Sequence, residues 1–180
     1  MIKIYKDFFD PDCLKYIEDS IEKSKNTANL RASYPTNSWQ PNIIHESTPV
    51  MIYDMYDTDI LSQRLKENID IKNDLHFMIY YWPVGSYIPW HNDAHTTWTA
   101  TLYCNKVWDM DWGGLFLYKE EDKILAEVPE WNKMVIQTDK DRHSTTPVIK
   151  PYYRPVDVDG GRYNMIPEIR TTIQFFEKNV

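Results

Sequence analysis

From Leu75 onward the chain breaks into short runs of β-branched and aromatic residues, with Gly, Pro, Asn or Asp between most of them. The runs are Leu75 to Trp82, Thr97 to Tyr103, Leu115 to Tyr118, Ile124 to Val128, Lys133 to Gln137 and Thr171 to Phe176. Such runs are too short and too β-branched for buried helices, so they specify strands. Many short strands at this spacing build a sandwich or barrel. The first part of the chain reads differently. Ile2 to Tyr5 is a strand candidate, and Asp10-Pro11 is a helix start, a capping side chain followed by proline at the first helical position. Leu14, Ile17 and Ile21 then recur at helical spacing, which predicts a helix from Pro11 to Lys25. Asn26 to Ser47 is polar and irregular, a long loop with room for one short strand. Loops of that length in small domains are often lids or binding loops. Val50 to Tyr53 reads as a strand, and Asp59 to Asn68 as a second helix with Ile60, Leu61 and Leu65 inward. The expected plan is mainly β with flanking helices, in a single domain: helical and strand support over 1–74 and a β core over 75–180.

Composition removes several function classes. A chain of 180 residues buries a core without staples, and two cysteines, Cys13 and Cys104, give no disulfide framework and fit a reducing compartment. A net charge of -7 argues against nucleic acid as partner, because that binding draws on clustered Lys and Arg. The N-terminus lacks the apolar stretch of a signal peptide, and no run approaches the length of a membrane span. A soluble cytoplasmic protein is expected. The 7 Trp and 13 Tyr point to a thick aromatic interior or a stacking surface.

The chemistry centres on His91-Asn92-Asp93. In extended chain His91 and Asp93 share a face with Cα atoms roughly 6–7 Å apart, close enough to reach one ion. His95 shares the face but lies roughly 13 Å from His91 along a strand, too far to chelate the same ion unless the chain turns. A third ligand should come from another strand, and His143 is the candidate, after the apolar run Met134-Val135-Ile136 and the turn-like Thr138 to Asp141. His45 and His76 read as structural or surface residues. Two histidines and one carboxylate leave one side of a metal open, the arrangement non-haem Fe(II) oxygenases use. Arg170, just before an aromatic terminal strand, could grip a carboxylate with two parallel hydrogen bonds. The tripeptide alone is a weak signal; the order His, Asp, glycine pair, His, Arg carries the argument.

These residues resemble the prolyl 4-hydroxylase-like branch of the 2-oxoglutarate/Fe(II)-dependent dioxygenase superfamily, most strongly from Met78 to Phe176. Tyr81-Trp82-Pro83-Val84-Gly85-Ser86-Tyr87 leading into Ile88-Pro89-Trp90-His91-Asn92-Asp93 is similar to the family's first ligand segment. Leu102-Tyr103-Cys104-Asn105-Lys106-Val107-Trp108, then Gly113-Gly114-Leu115, resembles its tyrosine–asparagine–tryptophan–glycine block. Val128-Pro129, Asn132-Lys133-Met134-Val135 and His143 with Pro147-Val148 resemble the segment carrying the distal histidine. Tyr5 to Phe9 and the Cys-bearing helix also resemble the family's start.

The resemblance implies a double-stranded β-helix core, jelly-roll or cupin-like. It implies that His91, Asp93 and His143 hold Fe(II), and that Arg170 pairs with the distal carboxylate of 2-oxoglutarate, assisted by Tyr103 and Thr172, with Tyr81 bordering the cosubstrate or substrate. O2 and ascorbate as reductant complete the cofactor expectation. The implied activity is hydroxylation of a peptidyl substrate, prolyl by the branch resembled, or of a small amino-acid-like molecule, with release of succinate and CO2. The 31–48 loop, with Tyr34 and Trp39, is the expected substrate side. The sequence departs from the family in three places. Residues 144–169 read as an inserted loop or hairpin, which makes Arg154 and Arg162 rivals for the anchor. Gln137-Thr138 stands where aromatic or apolar residues are usual, and Thr145 replaces an aliphatic residue. A non-catalytic jelly-roll module with an aromatic ligand platform is the alternative, though it leaves the ordered His, Asp, His and Arg without a purpose. A zinc hydrolase has no use for Arg170 and Tyr103, the acidic balance disfavours a nucleic-acid demethylase, and a halogenase would lack Asp93.

Overall fold

The computed structural model describes residues 2–26, 30–33, 48–93, 96–138, 140–149, 152–157 and 163–178, with 152–157, 163–168 and 178 as backbone alone. In chain order the elements are β1 (Lys3–Tyr5), α1 (Pro11–Lys25), β2 (Arg31–Ser33), β3 (Val50–Asp54), α2 (Asp59–Lys66), β4 (Leu75–Trp82), β5 (Ile88–His91) and β6 (Thr96–Tyr103). After a 3-10 turn at Met110–Trp112 come β7 (Phe116–Glu120), β8 (Lys123–Glu127), β9 (Met134–Thr138), β10 (His143–Thr145), β11 (Tyr152–Asp157), β12 (Tyr163–Glu168) and β13 (Arg170–Lys178). Pairing is antiparallel throughout and gives a seven-stranded sheet, β1-β9-β6-β13-β4-β3-β2, a four-stranded sheet, β5-β10-β7-β8, and the β11-β12 hairpin. This is the expected jelly-roll, a double-stranded β-helix with α1 and α2 outside it.

The two-residue period of the central strands sorts every side chain to one of two faces. Phe77, Ile79 and Tyr81 of β4, Trp98, Ala100 and Leu102 of β6, Met134 and Ile136 of β9, and Ile173 and Phe175 of β13 all turn outward, where they form one cluster with Phe8, Phe9, Cys13, Ile17, Leu61 and Leu65. Burying each such large side chain stabilises the fold by about 1.5–3 kcal/mol. The alternate residues, Tyr80 and Trp82, Thr99, Thr101 and Tyr103, Val135 and Gln137, Arg170, Thr172 and Gln174, face the smaller sheet. The wide sheet thus has an oily side toward the helices and a partly polar side toward the interior of the jelly-roll.

Helix α1 has the expected bounds. The Asp10 carboxylate accepts from the Cys13 backbone N–H at 2.9 Å, with Pro11 at the first position and Lys23 and Lys25 in the last turn. In α2, Leu61 and Leu65 are fully buried, one helical turn apart, but Ile60 is 38% exposed. It falls off the stripe that Leu61 and Leu65 define, so its expected inward position is corrected. Strands β5 and β10 stand outside the β-branched runs, because one carries Pro89 and the other is His143-Ser144-Thr145. Their strand character comes from pairing with each other and with β7. The segment after His143 does hold a hairpin, registered from Tyr152 opposite Glu168 to Asp157 opposite Tyr163. Tyr34, Trp39, His45, His95 and Arg162 lie outside the described residues, as does the side chain of Arg154. Among the described residues no helix is long and apolar enough to cross a membrane.

Candidate active site

The smaller sheet delivers two histidines to one point. Antiparallel pairing of β5 with β10 sets His91 directly opposite His143, and the two rings meet edge to face at 4.2 Å between centroids. Asp93, two residues past His91, completes the group, and one donor atom from each residue lies within 4.8 Å of the others. His91 Nε2 is 3.6 Å from Asp93 Oδ1, and His143 Nε2 is 3.6 Å from Oδ2.

Backbone carbonyls set the tautomers. His91 Nδ1–H donates to the Pro89 carbonyl at 2.7 Å, and His143 Nδ1–H donates to the Asp141 carbonyl at 2.9 Å. A carbonyl only accepts, so both Nδ1 atoms carry protons and the two Nε2 atoms are the ones turned toward Asp93. Burial, then the facing His143, pushes the His91 pKa down to about 4, which keeps that imidazole neutral at pH 7. Phe116 stacks on the His143 ring at 5.3 Å. From the wide sheet, Thr99 Oγ1–H donates to Asp93 Oδ2 at 2.7 Å. Gln137 Nε2 lies 3.3 Å from the same oxygen and 3.0 Å from His143 Nε2. Two imidazoles that turn Nε2 inward and a carboxylate suit a divalent first-row metal, so the residues present fit Fe(II).

The other end of the same pocket is built around Arg170, the first residue of β13, which is 1% exposed. Its guanidinium lies over Trp82 at 4.5 Å and over Tyr103 at 5.5 Å. The backbone of Gly114 closes the remaining side: a Cβ there would sit 2.6 Å from Arg170 Cδ, and φ is +65°. This close approach is why the glycine pair is needed. Among the described residues no carboxylate pairs with Arg170; its Nε and Nη1 and the Tyr103 hydroxyl make no hydrogen bond of good geometry, although hydroxyl and guanidinium lie close enough to interact. Burial lowers the arginine's pKa to about 10, which leaves it a cation at neutral pH, and burial raises that of Tyr103. An uncompensated buried cation costs several kcal/mol. A carboxylate ligand would remove that cost with two parallel hydrogen bonds. Thr172, on the same face, accepts from Trp82 Nε1 at 3.0 Å and from Gln174 Nε2 at 3.3 Å, and Gln174 Oε1 accepts from Thr101 at 2.8 Å. A polar floor therefore runs from the histidine cluster to the arginine, with Tyr80, Ile88, Phe116 and Phe176 as apolar walls.

The structure brings His91, Asp93, His143 and Arg170 to this one pocket; Tyr103 packs against the Arg170 guanidinium and Thr172 bonds Trp82, both behind its lining. Tyr81 is a correction. The sequence sets it beside the cosubstrate, but it turns to the opposite face of β4, where its hydroxyl meets Ser24 and the Ile21 carbonyl of α1. Its neighbours Tyr80 and Trp82 line the pocket instead. Sequence reasoning also misses Thr99, Thr101, Trp82 and Gln174. Their signal is parity: once Arg170 and Tyr103 are taken to face inward, every second residue of their strands must do the same. A groove between α1 and the β3–α2 connection, lined by Tyr16, Asp19, Tyr53 and Tyr56, is on the other side of the wide sheet.

Comparison with known proteins agrees with this geometry. Residues 75–157 match the family model of the 2OG-Fe(II) oxygenase superfamily. No curated protein matches the chain. Among solved structures, a Pseudomonas putida prolyl-4-hydroxylase is 14% identical, with a TM-score of 0.68 over 99% of this chain and 92% of its own. A Trichoplax adhaerens prolyl hydroxylase, solved with a hypoxia inducible factor oxygen degradation domain peptide fragment, is 13% identical with a TM-score of 0.73, over 98% and 83%. A viral collagen prolyl hydroxylase from Paramecium Bursaria Chlorella virus-1, in its 2OG complex, is 11% identical with a TM-score of 0.60, over 99% and 96%. At these identities the structures speak for the fold, while the matched segment and the order of the ligand-type residues speak for the chemistry. Residues 75–157 thus match the 2OG-Fe(II) oxygenase superfamily, and the chain has the prolyl-hydroxylase-like form of that fold; the match supports an enzyme that depends on Fe(II), 2-oxoglutarate and O2.

Proposed function

We propose that this enzyme hydroxylates a peptidyl substrate, prolyl in the first instance, with release of succinate and CO2. The observation that carries the reading is the buried Arg170 guanidinium, with no carboxylate partner among the described residues, in the same pocket as the His91, Asp93 and His143 cluster. In this reading those three side chains hold Fe(II), and Arg170 holds the far carboxylate of 2-oxoglutarate. Tyr103 and Thr172 add hydroxyls beside that carboxylate, and Trp82 fixes Arg170 from below by stacking while anchoring Thr172 through its indole N–H. When bound, iron and 2-oxoglutarate supply the O2 activation that inserts oxygen into a substrate C–H bond. The chain's own part is to orient both partners and to exclude water, which the apolar walls accomplish.

A peptide is preferred over a free amino acid because a structural relative is solved with a peptide fragment. A non-catalytic binding module would leave Arg170 buried without a ligand that justifies its cost. The test is conversion of 2-oxoglutarate to succinate with Fe(II), ascorbate and air, in wild type, Asp93→Ala and Arg170→Ala. We expect O2-dependent succinate, lost in Asp93→Ala and weakened chiefly through cosubstrate KM in Arg170→Ala. Proline-containing peptides should stimulate it above free amino acids. No turnover, together with no binding of Fe(II) or 2-oxoglutarate to wild type, would sink the reading.

A further inference from the structure

Asp93 lies just beyond the end of β5, so strand pairing does not fix its side chain. What holds it comes from the opposite sheet. Thr99 and Gln137 are cross-strand partners on β6 and β9, they are 1% and 2% exposed, and both reach the same carboxylate oxygen, Oδ2, at 2.7 and 3.3 Å. We propose that Thr99 and Gln137 form a two-donor clamp on Asp93 Oδ2 that restricts the carboxylate to one-oxygen ligation of the metal through Oδ1. The inference rests on the reading that His91, Asp93 and His143 hold Fe(II).

The physical case has three parts. Each oxygen lies 3.6 Å from one histidine, Oδ1 from His91 Nε2 and Oδ2 from His143 Nε2, but Oδ2 has its lone pairs engaged by two donors, which leaves Oδ1 as the oxygen that can turn to an ion. Gln137 stands where the resembled family is aromatic or apolar. Its amide N–H group lies 3.0 Å from His143 Nε2 as well as 3.3 Å from Asp93. Once a metal takes the His143 lone pair, Asp93 Oδ2 is the acceptor that remains to it. Finally, a six-coordinate ion with three protein ligands has three positions left, and 2-oxoglutarate with O2 needs all three. A two-oxygen aspartate would remove one of them. Thr99 and Gln137 are positioning residues: they act through Asp93.

The test uses metal binding rather than turnover. Mn(II) affinity by calorimetry and the visible absorption of the Co(II) protein are compared in wild type, Thr99→Val, Thr99→Ser, Gln137→Leu, and the Val/Leu double variant. Thr99→Val is isosteric, and thermal melts of the metal-free proteins check that each folds. Each single loss of a donor should weaken Mn(II) binding roughly 10-fold and the double variant roughly 100-fold, with Thr99→Ser close to wild type. The Co(II) absorption of the double variant should lose intensity as Asp93 swings to two-oxygen binding and the coordination number rises. Unchanged affinity in the double variant, or an unchanged Co(II) spectrum, overturns the clamp. If wild type binds no Mn(II), or if binding survives His143→Ala, the iron-site reading itself falls and the clamp with it.

Discussion

The two ends of the pocket are built on opposite principles. At the histidine end each group already has partners within the chain: Pro89 and Asp141 carbonyls for the imidazoles, Thr99 and Gln137 for the carboxylate. At the arginine end the guanidinium is held by packing, between the Trp82 ring and the Gly114 backbone, with the Tyr103 hydroxyl beside it and no carboxylate among the described residues to answer its charge. One end stands pre-organised before its ligand arrives. The other carries an unpaid desolvation cost until a carboxylate arrives. The metal end should therefore tolerate emptiness, and the arginine end should not.

Removing a ligand from the first end gives the largest effect. Asp93→Ala should depress metal affinity and turnover by well over the ~10–100-fold that a merely supporting residue costs, with a small change in the melting temperature of the metal-free protein. Titration with Mn(II) and a melt on the same sample check both halves. A large loss of metal-free stability would show that this end is not self-sufficient. Arg170→Met should split the other way. Cosubstrate affinity falls by roughly 10²–10³-fold, since a buried charged pair is worth about 2–5 kcal/mol to binding. The ligand-free fold should hold steady or gain, by up to about 1–4 kcal/mol, because an apolar side chain replaces an unpaired buried charge. Denaturant unfolding without ligand reads the stability. A destabilised Arg170→Met would mean that stacking on Trp82 outweighs the desolvation cost.

Between these lies Gly114→Ala. It forces a β-carbon onto a residue at φ +65° and to within 2.6 Å of Arg170 Cδ, so it should cost about 1–3 kcal/mol and shift the guanidinium. Displacement of a positioning group by a fraction of an ångström to an ångström raises the cosubstrate KM by roughly 10–100-fold, with metal affinity unchanged. Equal damage to both ends would merge the two halves that the comparison separates.

How much of this is legible in the sequence follows from the same contrast. The β core, both helices and the ligand-type residues are written locally, in strand-length runs, the Asp10-Pro11 cap and the His-x-Asp spacing. Tyr81 and Ile60 each take the other side of their element from the one expected, because the facing partner decides which side an apolar or aromatic residue takes. In β4 that partner is α1, which claims Tyr81 through Ser24 and Ile21 and leaves Trp82 to the pocket. Strands β5 and β10 lie outside the strand-length runs because Pro89 and the polar His143-Ser144-Thr145 carry no propensity signal, and only the ligand spacing points to extended chain there. Their pairing is long-range, and it is that pairing which brings the two histidines face to face. Gln137 was visible as a polar residue in an apolar run, but its partners belong to β5 and β10, so its role had no local signature.

The smallest predicted effect separates the two ends by pH. His91 is held near pKa 4 in the folded, metal-free protein, by burial first and by the facing His143 second, against about 6.5 in an unfolded chain. The unfolded state therefore takes up a proton that the folded state refuses. Stability must fall as pH drops from about 6.5 toward about 4, and the loss is complete below that, on the order of 1–3 kcal/mol. Arg170, with its pKa lowered only to about 10, remains charged over that whole window and contributes no slope. Chelator-treated wild type, His91→Asn and Arg170→Met should be unfolded in urea at a series of pH values. His91→Asn should flatten the fall relative to wild type, which cancels the shared carboxylate titrations. Arg170→Met should shift the whole curve and keep its slope. A slope that follows Arg170→Met instead would place the pH-sensitive charge at the arginine end and undo the contrast between a satisfied metal cluster and an unsatisfied anchor.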